Sequence, residues 1–117
     1  MLEPLPESLV DIEITYTNLT SLPDDLHERW HPLAALFVEY SLITEFPKAL
    51  LALQVQQLSL YGNLIERLPE LETAHQFFVT FTASANPLVE LPETLGDGTA
   101  FGYLGVENTL IKTLPAW

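Results

Sequence analysis

The sequence predicts an α/β solenoid of stacked units, each with a short strand and a short helical or irregular segment on the convex side. Three observations carry that expectation. In five places an aliphatic or aromatic residue is followed ten residues later by the hydrophobic member of a Leu-Pro-like pair: Ile12 and Leu22-Pro23, Leu36 and Phe46-Pro47, Leu58 and Leu68-Pro69, Phe81 and Leu91-Pro92, Leu104 and Leu114-Pro115. From each first residue the apolar positions alternate with period two, as a half-buried strand requires. A short polar residue then recurs in register. A unit with so narrow an apolar face cannot bury it alone, but stacked units share one continuous core.

Strands are expected near 10–16, 34–40, 56–62, 79–85 and 102–108. Their inward pairs are Ile12-Ile14, Leu36-Val38, Leu58-Leu60, Phe81-Ala83 and Leu104-Val106, preceded three residues earlier by Leu9, Leu33, Val55, Phe78 and Phe101. Leu19, Ile43, Ile65, Leu88 and Ile111 turn the chain back onto the same core. The return from each Leu-Pro to the next strand varies (Leu22 to Leu36, Phe46 to Leu58, Leu68 to Phe81, Leu91 to Leu104). Stacked modules need an identical inward segment and tolerate length changes in surface loops, so the constant leg is core and the variable leg is convex.

Thr17, Ser41, Asn63, Asn86 and Thr109 form the polar column. At a bend where backbone groups lose their ladder partners, such side chains bond to the backbone of their own turn and its neighbour, a buried structural role. Among the return legs, Pro23 with Asp24 and Asp25 fits a helix start. The Ala- and Leu-rich 47–53 leg should be the most helical, and Gly96-Asp97-Gly98 should make its own leg irregular.

Together these windows have the form LxxLxLxx(N/S/T)xLxxLP and run from Leu9 to Pro115. The pattern resembles the leucine-rich repeat family, in the subgroup with units of about 23 residues ending in Leu-Pro. That resemblance implies a curved solenoid with a parallel sheet on its concave side, used most often to bind other proteins. The chain departs from the family at positions 17, 41 and 109, where Thr, Ser and Thr replace Asn, and at Phe46 and Ala83, where Leu is commoner.

Composition narrows the partners. The formal charge is −12, from 16 acidic and 4 basic residues, which argues against nucleic acid or an anionic membrane and for a partner with a basic surface. No apolar run is long enough to span a bilayer. Cysteine is absent, which removes disulfides, thiolate metal sites and a cysteine nucleophile. With no visible signal peptide, cytoplasmic localisation is favoured. The fifth unit stops at Trp117 and only seven residues separate Leu5 from Ile12, so the expectation is a single array of about five repeats with bare ends, part of a longer repeat protein or joined to further domains.

On the concave face, strand alternation points Glu13, Thr15, Phe37, Glu39, Ser59, Tyr61, Thr82, Ser84 and Glu107 away from the core, with Tyr16, Tyr40 and Gly105 beside them. Phe37 is the large apolar group expected to face water. Aromatics beside carboxylates suit a protein interface with a basic partner. One catalytic pattern competes: His27-Glu28-Arg29-Trp30-His31 matches HExxH, whose histidines hold zinc one helical turn apart. It falls in the longest return leg, Pro32 disfavours helix at His31, and only the distant His75 offers a third ligand, so surface histidines with Trp30 packed on the core are expected. No phosphate loop or nucleophile elbow is present. The sequence therefore points to a non-enzymatic protein-binding module without cofactor or metal. The alternative is the recognition part of a larger kinase or ubiquitin ligase, and a zinc hydrolase stands third.

Overall fold

A computed structural model describes residues 11–30, 34–69, 76–93 and 99–115, without the side chains of residues 27, 29 and 52. It is a solenoid of parallel strands with little helix. Strand β1 (Asp11–Thr15) is followed by α1 (Leu26–Arg29), β2 (Ala35–Glu39), α2 (Ala49–Leu53) and β3 (Gln57–Ser59). The chain continues through β4 (Phe77–Phe78), β5 (Thr80–Thr82), β6 (Ala100–Phe101) and β7 (Leu104–Gly105).

The main sheet is five-stranded and parallel, in the order β1-β2-β3-β5-β7. Its register joins equivalent positions of successive units: Ile12 beside Leu36, Leu36 beside Leu58, Leu58 beside Phe81 and Phe81 beside Leu104. The ten-residue interval is thus a spatial period as well as a sequence period. Each coil returns to the same edge because its inward residues need the previous coil's inward residues to leave water.

The core follows the columns. Leu36, Val38, Phe81 and Ala83 are fully buried, as are Leu60, Ile43, Ile65 and Leu88 of the turn-back positions and middle strands. An aromatic cluster runs through the core from the second unit to the fifth: Phe78 meets Phe81 edge-on at 5.1 Å and stacks on Phe101 at 5.5 Å, while Phe46 stacks on Phe81 at 5.9 Å. Such ring pairs stabilise beyond their burial by about 0.5–1.5 kcal/mol each. Phe46, unusual at a position where Leu is commoner, is thereby absorbed into the packing. Ile12, Leu19, Leu104, Val106 and Ile111, at the two outer coils, are only partly buried.

Both helices are single turns. α1 follows Pro23-Asp24-Asp25, but Asp25 makes no side-chain cap bond. α2 occupies the Ala-Leu leg after Pro47 and ends at Gln54, whose backbone is left-handed (φ 62°) and whose amide Nε2 donates to the Leu51 carbonyl at 3.2 Å. The expected irregularity at Gly96-Asp97-Gly98 lies outside the described residues, as do Leu9 and Leu33.

Two features were not expected. A second parallel ladder pairs β4 with β6 beside the main sheet, Phe77 with Ala100 and Phe78 with Phe101. There Gly102 donates to the Phe78 carbonyl at 2.7 Å, and a Cβ on it would stand 2.8 Å from the Val79 carbonyl oxygen. Only glycine permits that approach. The second is a column of left-handed residues four places after each strand's first core residue: Tyr16, Tyr40, Gly62, Ala85 and Asn108, with φ between 52° and 77°. This bend ends each strand and turns the chain into the polar column. The repeated left-handed residue donates to the next coil, Tyr16 to Glu39, Tyr40 to Tyr61, Gly62 to Ser84 and Ala85 to Glu107 carbonyls, at 2.8–3.1 Å.

The polar column is built from those bends. Asn63 donates from Nδ2 to the Val38 carbonyl of the preceding coil at 2.8 Å and to its own Leu60 carbonyl at 3.0 Å, while its Oδ1 accepts from the Ile43 amide at 3.2 Å. Asn86 repeats the pattern with Leu60, Ala83 and Ser84 carbonyls and the Ile65 amide. Ser41 is buried and shares a 2.9 Å hydrogen bond with Thr17 Oγ1. Thr17 itself is exposed and Thr109 half-buried, which corrects the expectation of a uniformly buried column. A hydroxyl offers a single polar atom where the amide offers a donor and an acceptor together, and Thr109 bonds its own Val106 carbonyl, at 2.9 Å.

Candidate functional site

The open face of the sheet, opposite the core, collects the outward strand residues. Glu13 and Glu107 are exposed; Thr15, Phe37, Glu39, Tyr61 and Thr82 are half-buried; Ser59 and Ser84 are buried. Register places Glu13 beside Phe37 and Phe37 beside Ser59, and Thr15 beside Glu39. Phe37 is therefore flanked on both sides, which explains why it is not the fully exposed ring its position suggested.

The two serines differ from their neighbours. Expected as contact residues, they stand on the open face but are covered there and engaged in the sheet's own hydrogen bonds. Ser59 Oγ donates to Glu39 Oε2 and accepts from the Tyr61 amide at 3.4 Å. Ser84 Oγ accepts from the Glu107 amide at 2.9 Å. Small hydroxyls between larger neighbours are covered by them and satisfy backbone and carboxylate groups that would otherwise be left without partners.

At the rim of this face three tyrosines assemble. The Tyr16 and Tyr40 rings stack almost parallel, 4.7 Å apart with 3° between planes, and Tyr61 meets Tyr40 edge-on at 5.4 Å. The stack follows from the register, because equivalent positions on neighbouring strands are separated by about 4.7–4.9 Å. Tyr16 and Tyr40 are equivalent, both left-handed, and so their rings lie flat on each other. Tyr61 stands one position earlier in its unit and meets them at an angle. At the next left-handed position Gly62 leaves space that Tyr40 fills: a Cβ there would lie 2.9 Å from the Tyr40 ring. Tyr16 is 78% exposed and Tyr40 43%. The Tyr40 hydroxyl is raised above its ordinary value of 10.0, first by loss of water among the neighbouring rings, then by Tyr61, Tyr16 and the Glu39 charge.

Charge is segregated around this face. Asp11, Glu13, Glu39 and Glu107 project from strand or strand-end positions, whereas all four basic residues, Arg29, Lys48, Arg67 and Lys112, belong to connecting segments. Immediately before two of the Leu-Pro pairs, Arg67 and Glu90 pair with each other, both well exposed. Tyr103, exposed at 52%, also belongs to the open face and was missed by counting outward positions only after each strand's first core residue. Strand alternation would have found it one residue before Leu104, as it would Asp11 and Gln57.

The zinc pattern meets a local obstacle. α1 ends at Arg29, and Trp30 is extended (φ −110°, ψ 141°), so the helix that holds His27 stops before Trp30. His31 and His75 lie outside the described residues, as does the His27 side chain. Trp30 is buried in the main core at 4% exposure, the packing role expected for it. Among the described residues no group of three or more His, Cys, Asp or Glu is placed to hold a metal ion, and no helix is long and apolar enough to cross a membrane.

The fold and face together define a parallel-strand solenoid presenting an acidic, aromatic strand surface. No family model matches the chain, and neither a curated protein nor a solved structure matches it.

Proposed function

We propose that this chain is a leucine-rich-repeat module that binds another protein through the concave strand face, by equilibrium association and without turnover. The family reading rests on the five windows and on the side chains that occupy them in register. The functional reading rests on one observation: the strand surface carries acids and exposed tyrosines but no lysine or arginine, so its field favours a partner with a basic surface. Tyrosine supplies contact area at small conformational cost, and the acids steer encounter and orientation. Glu13, Phe37, Glu39, Tyr61 and Glu107 are the proposed contact residues, with Tyr16 and Tyr103 added to them.

Site-specific photo-crosslinking in the source cell tests this. A benzophenone side chain at Glu13 or Glu107 should capture a defined protein, while the same group at Glu45 or Glu66, in the segments leading to Phe46-Pro47 and Leu68-Pro69, should not. Capture from Glu45 or Glu66 alone would overturn the assignment of the face.

A further inference from the structure

We infer that the rim stack of Tyr16, Tyr40 and Tyr61, together with the Glu39 carboxylate, is a subsite for the guanidinium of an arginine carried by a basic protein segment. This rests on the binding reading above and specifies what that face recognises. The stack is shaped for a flat cation. One face of the Tyr16 ring lies on Tyr40 at 4.7 Å, and with 78% of Tyr16 exposed its other face is turned to water. A ring face carries the negative end of the aromatic quadrupole, and guanidinium is planar, weakly hydrated and stacks on it. An ammonium is a compact, strongly hydrated charge that gains less from such a surface.

The surroundings supply the remaining attraction. Glu39 is close enough to Tyr40 for its charge to act on that hydroxyl, and only one of its oxygens is engaged by Ser59. Its charge acts on a cation held at the rim through space, without direct contact. Glu13 and Asp11 add negative charge along the adjoining strand, and no strand position contributes a lysine or arginine to compete. The backbone also commits the rings to this rim: Tyr16 and Tyr40 have φ of 53° and 52°, a conformation bulky residues rarely take. Ordinary burial does not explain holding Tyr16 there with most of its side chain in water.

The test titrates the full, isotope-labelled chain with N-acetyl-arginine methylamide, following ring and backbone resonances by NMR, alongside the citrulline and lysine counterparts. Citrulline keeps the planar shape and loses the charge. The expected result is millimolar binding by the arginine compound, with shifts centred on Tyr16, Tyr40, Tyr61 and Glu39 and affinity about tenfold above citrulline. Lysine should bind about two- to fivefold more weakly than arginine. Tyr16→Asn, which keeps a residue tolerant of the left-handed backbone, should abolish the shifts while the remaining spectrum stays folded. Tyr16→Phe should restore them. Equal binding of arginine and citrulline, equal binding of lysine, shifts centred elsewhere, or an unaltered Tyr16→Asn response would each overturn the inference. If crosslinks still map a partner to the open face while arginine ignores the stack, the binding face stands and the guanidinium subsite falls.

Discussion

Asn86 and Thr109 occupy the same register position one coil apart and hold the chain in different ways. Asn86 is buried and ties two coils together, donating to the Leu60 carbonyl of the coil before it as well as to its own bend, and accepting from the Ile65 amide. Thr109 is half-buried and bonds only to Val106. The same contrast runs through the apolar columns, where Phe81 is fully buried and Leu104 beside it partly so, and where Leu91 is buried while Leu114 is 76% exposed. A repeat position has no fixed energetic value. Its worth depends on having a coil on both sides and side-chain groups that bond to both.

The largest test of that contrast is in the aromatic core. Phe81→Ala should cost about 3–5 kcal/mol, since the cavity would border Phe46, Phe78 and Phe101. Leu114→Ala should change stability by less than about 0.5 kcal/mol. Urea unfolding of both variants checks this, and comparable losses would show that the outer coil is packed as tightly as the interior.

Next comes the polar column. Asn86→Ala leaves the buried Ile65 amide and neighbouring carbonyls unsatisfied and should cost about 2–4 kcal/mol. Thr109→Ala should cost about 0.5–1 kcal/mol, because only one partly buried bond is lost. Hydrogen exchange would sharpen the comparison: loss of Asn86 should expose amides in the preceding coil, whereas loss of Thr109 should act only locally.

The smallest effect lies at the rim. Because the Tyr40 hydroxyl is raised above 10.0 in the folded chain, the unfolded chain releases this proton first as alkali is added. The folded state then holds more protons, so stability is unaffected below the ordinary phenol range and declines as pH rises from about 10 through the folded value. Absorbance titration of phenolate should show a late component that Tyr40→Phe removes. Tyrosines all ionising together near the ordinary value would mean that the stack is open in solution.

Much of the architecture was legible because it depends on local chemistry repeated at constant spacing. Strand windows, inward pairs, the polar column and the helical 47–53 leg can be read from residue type and interval alone. The left-handed column could not, since Tyr, Tyr, Gly, Ala and Asn share no side-chain signature and only Gly and Asn suggest the conformation. The β4–β6 ladder was equally hidden, because it depends on Gly102 letting two backbones approach in space. On the face, Glu13 and Glu107 are exposed as alternation requires, whereas Ser59 and Ser84 occupy the same face but are covered there and held by hydrogen bonds to other coils.

By itself the sequence determined the period, the alternation that separates core from face, and the acidic balance of that face. These belong to residue identity and order, which exist before the chain folds. Tertiary structure alone decided which column members are sealed and which stay half open, and it brought Tyr16 onto Tyr40 across 24 residues of chain. Strand spacing sets the distance between coils, and that spacing happens to match the stacking distance of two rings.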